Sequence, residues 1–593
     1  MTRTQYEPGP WSLGELFSGL QAPEIQAETQ ALETKVQAFE ARRAGLSPAI
    51  GAEVFKAVLQ EYDTLLRQLS RLDGFADLSF SEDTQDAKVQ AFRARVQQLM
   101  AETANRTLFF QLWWKGLDEP QAARLLAEAG DFRYWLEALR LQKPYTLSEP
   151  EEQVINLKDV NGSAALVTLY DSITNRYTFR LEMDGETRDL SREELQVFYR
   201  DPRPEVRAAA YQALYRVYAQ DGPILSQLYQ YRVRDWRSEN VQLRGFTSPI
   251  AVRNLANNIP DDVVNTLLDV CRSNAGIFQS YFRLKAGTVG VDRLRRYDIY
   301  APVAGTEKTY PYAEAVNLVL DSFQRFEPRM AALAQKVFDE NHIDSQIRHG
   351  KRSGAFCATL GPDYTPWLSQ TFKGKPQDVA TLAHELGHAV HSLLAADHNL
   401  LTQHAALPLA ETASTFGEML LVDRLMEIDP AVDVQRTLLF REMDDNYATI
   451  LRQAYFALFE RQAGEIIDAG GTVDDLSAAY LANLKEQFGD AVEVSDDFRH
   501  EWLAIPHFHH APFYVYAYTF GQLLVLSLYQ QYQKEGEAFK PRYLQILAAG
   551  GSDSPERILQ RAGIDMRSKA FWQGGFDVVK ASLRKLDAIE AGR

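Results

Sequence analysis

Residues 380–391 read ATLAHELGHAVH, and within them His384-Glu385-Leu386-Gly387-His388 spells HExxH. The chain has 11 histidines among 593 residues. A chance HExxH is then expected on the order of 0.02 times. Apolar residues flank the motif at helical spacing: Val379, Leu382, Ala383, Leu386, Ala389, Val390, Leu393 and Leu394. On a helix, positions i and i+4 share a face, so His384 and His388 can reach one metal ion. Glu385 sits beside the first of them, placed to take a proton from a metal-activated water. The plainer reading is a helix with two satisfied histidines. The scarcity of histidine and the completeness of the motif disfavour it.

A catalytic zinc takes three protein ligands and keeps one position for water. The longer HExxHxxGxxH pattern needs Gly at 391 and His at 394. The chain has His391 and Leu394, which excludes that class. His391, His398 and His404 remain as candidates, the first turned partly off the ligand face and the others in a polar connection. A stronger candidate lies in PLAETASTFGEMLLVDRLMEI (408–428). Pro408 suits a helix start, and apolar residues follow at helical spacing. Glu411 and Glu418 lie two turns apart on one side of that helix. Burying an unpaired carboxylate is expensive. One carboxylate on the metal and one orienting a ligand histidine would explain both. A solvent-facing stripe is the alternative, since most helical glutamates are exposed.

Composition sets outer bounds. A chain of 593 residues exceeds what one core serves, so two or more lobes are expected. The net charge of −17 argues against a polyanion binder, which needs clustered Lys and Arg. Two cysteines, Cys271 and Cys357, are no disulfide framework, and a reducing, cytoplasmic setting is expected. The stretch MTRTQYEPGPWSLGELFSGL lacks the apolar core of a secretory signal. No segment reaches the ~20 apolar residues of a membrane span.

Helical periodicity fills most of the chain. Residues 24–44 and 86–104 are amphipathic and share a near-identical octamer, KVQAFEAR (35–42) and KVQAFRAR (88–95). Two similar helices explain this better than a repeat. Residues 177–190, YTFRLEM-DG-ETRDL, read as a hairpin around Asp184-Gly185. NGSAALVTLYDS, just before it, reads as a further short strand. Ser191 followed by Glu194 reads as a capping box that restarts the helices. A lobe boundary follows at 195/196: an N-terminal helical lobe over 1–195 and a catalytic domain over 196–593. Residues 350–373 read as loop and short strand immediately before the HExxH helix. Such an extended segment could pair with a peptide backbone, and a plain connecting strand in a small sheet explains it equally well.

HELGHAVHS (384–392) followed by ETASTFGEML (411–420) resembles oligoendopeptidase F, a branch of the thimet oligopeptidase-like zinc metallopeptidases. The resemblance implies one zinc ion per chain held by His384, His388 and Glu411, the last 23 residues beyond the second histidine (388 to 411). It also implies Glu385 as general base, Glu418 as a second acidic position near the site, and Ser414 completing E-x-x-S. IPHFHHAPFYVYAYTFG (505–521) is similar to the family's aromatic segment. That similarity implies substrate and oxyanion contacts from His507 and from Tyr514 or Tyr516. A tyrosine hydroxyl stays protonated at neutral pH and can donate to an oxyanion. Phe508, Phe513 and Phe520 read as packing residues. GKRSGAF (350–356) and RRYDIYAP (295–302) extend the resemblance over about 200–580.

The implied fold is mainly α: a two-lobed, Glu-ligated helical zincin with a small β element near the active site and a deep substrate channel. The implied activity is zinc-dependent hydrolysis of short unstructured oligopeptides, with no nucleic-acid or membrane partner. Two alternatives use the same residues. One is a metallocarboxypeptidase on the same framework. The other is a non-catalytic zinc-containing peptide-binding protein, which leaves Glu385 without a task.

Overall fold

A computed structural model describes residues 6–303 and 308–592. Among the described residues, strands are confined to seven short segments: β1 (Phe179–Met183), β2 (Glu186–Leu190), β3 (Leu294–Arg295), β4 (Ile343–Asp344), β5 (Phe356–Ala358), β6 (Trp367–Ser369) and β7 (Val492–Glu493). Helices carry most of the rest, as the periodicity requires. The chain forms two compact units, each gathered from three separated stretches. The first takes residues 1–143, 307–428 and 531–565, and the second takes 144–306, 429–530 and 566–593. Position 195/196 falls inside the second unit. Long-range packing defines these units, and composition along the chain does not register it.

The first unit is built on three helices, Pro23–Ala41, Ala52–Glu82 and Ala87–Gly116. The shared octamers occupy the first and third. Each turns its Val and its Phe inward: Val36 and Phe39 in one, Val89 and Phe92 in the other. Burying each such side chain contributes about 1.5–3 kcal/mol. Asp86 starts the third helix by accepting from the Lys88 amide at 2.7 Å, satisfying an otherwise orphaned donor. A three-stranded sheet in the same unit has the order β4-β6-β5, with β4 parallel and β5 antiparallel to β6. β5 is therefore an edge strand. The loop leading into it is pinned by Lys351, whose ammonium donates to buried Asp344 Oδ1 at 2.9 Å and to the Gln370 carbonyl at 2.8 Å.

Two helices of this unit approach each other closely. Helix Pro376–Leu394 carries HELGH, and helix Thr412–Ile428 follows ETAS closely. A Cβ on Gly387 would stand 2.6 Å from the Ala413 carbonyl oxygen and 2.6 Å from Ser414 Cα. A Cβ on Gly417 would stand 3.1 Å from the Ala383 carbonyl oxygen. The backbones thus touch at two glycines. The second helix does not run unbroken from Pro408, as the sequence pattern leads one to expect. A short turn, Leu407–Ala410, ends at Glu411 (φ −86°, ψ 4°), and the long helix begins at Thr412. The Tyr543 hydroxyl donates to the Thr412 carbonyl at 3.0 Å and fixes that junction.

In the second unit, β1 and β2 form the expected hairpin, with Asp184 and Gly185 both at positive φ (56° and 77°). Phe179, Leu181 and Met183 point inward. The Ser191–Glu194 capping box forms as read: the Glu194 amide donates to Ser191 Oγ at 3.3 Å, and the Ser191 amide donates to Glu194 Oε2 at 2.8 Å. The strand read into NGSAALVTLYDS is instead helix, Ser163–Thr174. Its buried residues, Ser163, Tyr170 and Thr174, recur at helical spacing, and that burial overrides the local β-branched content. No helix of the described residues is long and apolar enough to cross a membrane.

Gly387→Ala places a methyl group against backbone that cannot yield, and overpacking of this kind costs about 1–3 kcal/mol. Gly464→Ala, inside helix Arg452–Asp468, meets nothing within 4 Å and is expected to stabilise by about 0.5–1 kcal/mol. Thermal unfolding of the two variants side by side checks this. Equal or greater stability of Gly387→Ala would contradict the backbone contact.

Candidate active site

The HELGH helix starts at Pro376, and Asp378 Oδ2 accepts from the Lys373 and Lys375 amides at 2.7 and 2.9 Å. Its apolar face buries Val379, Leu382, Ala383, Leu386, Ala389, Val390 and Leu394. His384 and His388 lie off that face and are partly exposed. Their Nε2 atoms are 3.2 Å apart. Glu411 Oε2 lies 3.3 Å from each of them. Three ligand atoms therefore form a near-equilateral triangle.

That triangle fits a metal. Ligands at the ~2.0–2.1 Å typical of zinc, in tetrahedral array, stand about 3.3 Å from one another. The ring of His384 is oriented from behind by Glu418, whose Oε1 accepts from Nδ1 at 2.6 Å. This leaves Nε2 with its lone pair toward the triangle. Ser414 Oγ donates to Glu411 Oε2 at 2.6 Å and fixes the carboxylate. Of the two glutamates singled out in the sequence, Glu411 faces both histidines and Glu418 stands behind one.

The electrostatics favour a cation at the triangle. Burial alone lowers the His384 pKa, but the Glu418 hydrogen bond and the Glu418, Glu411 and Glu385 charges overcome it and push it up to about 9. Burial alone raises Glu411, yet the contacts from His388 and Ser414 and the His384 charge bring it down to about 2. Glu385 is buried beside the triangle. Burial is the main cause that raises its pKa, and Glu411 and Glu418 add to it. A cavity of about 430 Å³ opens over these groups, lined also by Phe356 and Cys357 of β5, His391, Gln403 and His404.

The other histidines weighed as ligands stand outside the triangle. His391 is buried, and its pKa is held down to about 4, first by burial and then by His388. His398 bonds Asp131 Oδ1 at 2.7 Å and the Ala548 carbonyl at 3.0 Å. His404 lines the cavity but is not one of the three triangle residues.

The aromatic segment belongs to the second unit. Helix Pro506–His510 is followed by a turn and by helix Tyr516–Glu535. His507 lies parallel to Tyr514, with ring centroids 6.3 Å apart at 9°, and its Nε2 is 3.3 Å from the Tyr518 hydroxyl. Tyr514 and Tyr518 meet edge to face at 5.3 Å. Tyr516 is fully buried, and its hydroxyl accepts from Asn257 Nδ2 at 2.9 Å. Tyr518 was not singled out in the sequence, although it lies four residues beyond Tyr514. His509 stacks on Tyr170 at 3.8 Å, and His510 bonds Asp171 Oδ1 at 2.7 Å. Phe508, Phe513 and Phe520 are buried packing residues, as read.

Comparison with known proteins agrees with this chemistry. The model of peptidase family M3 matches residues 197–578, and that of oligopeptidase F matches residues 113–179. Group B oligopeptidase PepB of Streptococcus agalactiae is 27% identical over 540 residues, 89% of this chain and 88% of that one. Oligopeptidase PepF of Bacillus subtilis is 25% identical, over 94% of this chain and 84% of that one. The crystal structure of a Chlamydophila abortus protein superposes with a TM-score of 0.87 at 23% identity, covering 98% of this chain and 100% of that one. The chain belongs to peptidase family M3, and it is a metalloendopeptidase of the oligoendopeptidase F type.

Proposed function

We propose that the chain holds one zinc ion through His384, His388 and Glu411 and hydrolyses short unstructured oligopeptides internally. The observation that carries the ligand assignment is the 3.2–3.3 Å triangle of Nε2, Nε2 and Oε2, with buried Glu385 next to it. When bound, zinc supplies Lewis acidity and makes water a nucleophile near neutral pH. Glu385 accepts the proton of the attacking water and passes it to the leaving amine. Glu418 keeps His384 in the Nδ1–H tautomer, and Ser414 keeps the Glu411 carboxylate from rotating. His507 and Tyr514 hydrogen-bond the substrate and the carbonyl oxygen as it gains charge. Tyr514 takes this role in preference to Tyr516, which is fully buried with its hydroxyl accepting from Asn257.

The free edge of β5 offers backbone groups to an extended peptide, the pairing open to any edge strand. An unfolded substrate meets that requirement and a folded one does not. A carboxypeptidase needs a cation for the free carboxylate. Among the described residues lining the cavity there is no Lys or Arg, which favours internal cleavage. Cys271 and Cys357 are unpaired, which supports the reading of a reducing, cytoplasmic setting.

Glu385→Gln is expected to retain zinc and lose about 10²–10⁴-fold in turnover. Metal analysis beside a quenched-peptide assay reads both, and near-normal turnover would rule out the assigned base. Glu418→Gln is expected to weaken metal affinity about 10–100-fold, with activity regained at excess zinc. A competition titration against a chelator measures it. Quenched peptides of graded length should be cleaved while casein resists, and efficient casein cleavage would overturn the oligopeptide assignment.

A further inference from the structure

The described residues include four non-glycine positions at positive φ: Asp184, Asn258, Asn341 and Phe513. Asp and Asn tolerate this conformation, whereas a bulky side chain there signals strain held by its surroundings. Phe513 (φ 58°) is the third residue of a tight turn, Ala511-Pro512-Phe513-Tyr514, closed by the Tyr514 amide donating to the Ala511 carbonyl at 3.1 Å. Proline second and positive φ third define the type II form, which normally takes glycine or asparagine at the third place.

The central peptide of this turn is gripped on both sides. Its N–H, on Phe513, donates to Glu460 Oε1 at 2.8 Å. Its carbonyl, on Pro512, accepts from Arg253 Nε at 3.2 Å. Arg253 also lies over the Tyr514 ring, 6.0 Å from its centroid. Type I and type II turns differ by a flip of this peptide. Pro512 and Phe513 border a cavity of about 480 Å³ that Glu460 also lines, so open space lies beside this peptide. Glu460 is otherwise an odd residue to find here: its side chain is buried and its Oε2 has no hydrogen-bond partner among the described residues.

We propose that Glu460 and Arg253 are positioning residues that lock the Pro512–Phe513 peptide in its type II orientation and so hold Tyr514 in register with His507. Neither touches the reacting atoms. The inference rests on the role assigned above to Tyr514, which Tyr514→Phe tests separately.

Burial raises the Glu460 pKa to about 8, against the lowering effects of the Phe513 amide and Arg253. Tyr229, Arg232 and Arg461 line the same cavity. At neutral pH the carboxyl is therefore mainly protonated, and its carbonyl oxygen still accepts from Phe513. The folded value stands above the ordinary 4.5. Stability linked to this group therefore declines as pH climbs from about 4.5 to about 8 and levels off above.

The test compares Glu460→Gln, which keeps an acceptor, with Glu460→Leu, which keeps the volume and removes it. Glu460→Leu is expected to be at least as stable as wild type at pH 8 with unchanged zinc content. Its kcat should fall about tenfold with KM within about twofold, and amide exchange across residues 511–516 should quicken. Glu460→Gln should keep kcat and slow exchange while losing the pH slope in stability. Folded Glu460→Leu with normal kcat and normal exchange overturns the proposal, as does a kcat loss of equal size in Glu460→Gln. If Glu460→Leu does not fold, Arg253→Met makes the same comparison from the other side of the peptide. Full activity of Tyr514→Phe would instead overturn the parent reading and leave the exchange result to judge the clamp alone.

Discussion

The contact between the Gly387 backbone and Ala413–Ser414 is the constraint on which the site depends. HExxH brings two nitrogens and a base on one helix, and no third ligand is found within that stretch. An oxygen from a second segment must reach within about 3.3 Å of both Nε2 atoms. A glutamate side chain is short, so the two backbones must nearly touch. Gly387 and Gly417 supply that approach from opposite helices. The same closeness lets Glu411 face the front of the histidine pair while Glu418, two turns on, reaches the back of His384. The break at Glu411 belongs to this geometry. With φ −86° and ψ 4°, the residue leaves helical geometry just before the long helix starts, at the point where its carboxylate meets the histidines.

Packing at the glycines then sets the charges. Three carboxylates, Glu385, Glu411 and Glu418, crowd two imidazoles. Glu411 is stabilised as an anion by His388 and Ser414, whereas Glu385 is buried and resists ionisation. Two carboxylates whose surroundings push their proton affinities apart are suited to different tasks. One suits ligation, which needs a fixed negative oxygen, and the other suits proton transfer. The excess of negative charge is what a divalent cation neutralises, and without one a proton on His384 is the nearest substitute.

Much of this was legible in the chain. The HELGH helix, the choice of 408–428 for the carboxylate that faces its histidines and the Asp184-Gly185 hairpin follow from spacing, because each is encoded within a few turns of backbone. The octamer pair is one local solution used twice. What was illegible is non-local or contextual. NGSAALVTLYDS contains Val167 and Thr168 and is followed by Ile173, so its propensity points to strand. Only the inward positions Ser163, Tyr170 and Thr174 disclose the helical period. Glu411 and Glu418 are equivalent by spacing, and the turn at Glu411 tells them apart. Tyr514 and Tyr516 are also equivalent on paper. Asn257, from a segment over 250 residues earlier, takes one into the core and leaves the other beside His507. The two compact units interleave three stretches each, an arrangement no local composition announces.

The two functional segments follow one rule by opposite means. At HELGH, side chains are removed so that backbones can meet, and glycine is the residue that allows it. At Pro512–Phe513, a side chain is retained where glycine would adopt the turn without strain. Glycine there would also let the peptide sample either orientation. Phenylalanine at positive φ costs of order 1–3 kcal/mol, and the surrounding structure must offset that. Its ring is buried, and its amide is held by a carboxyl that is itself costly to bury. Strain and buried polarity thus meet at one peptide, one residue before the tyrosine that faces His507. A turn needed only to reverse the chain could adopt the cheaper type I form. A turn that must aim Tyr514 has reason to keep the strained one.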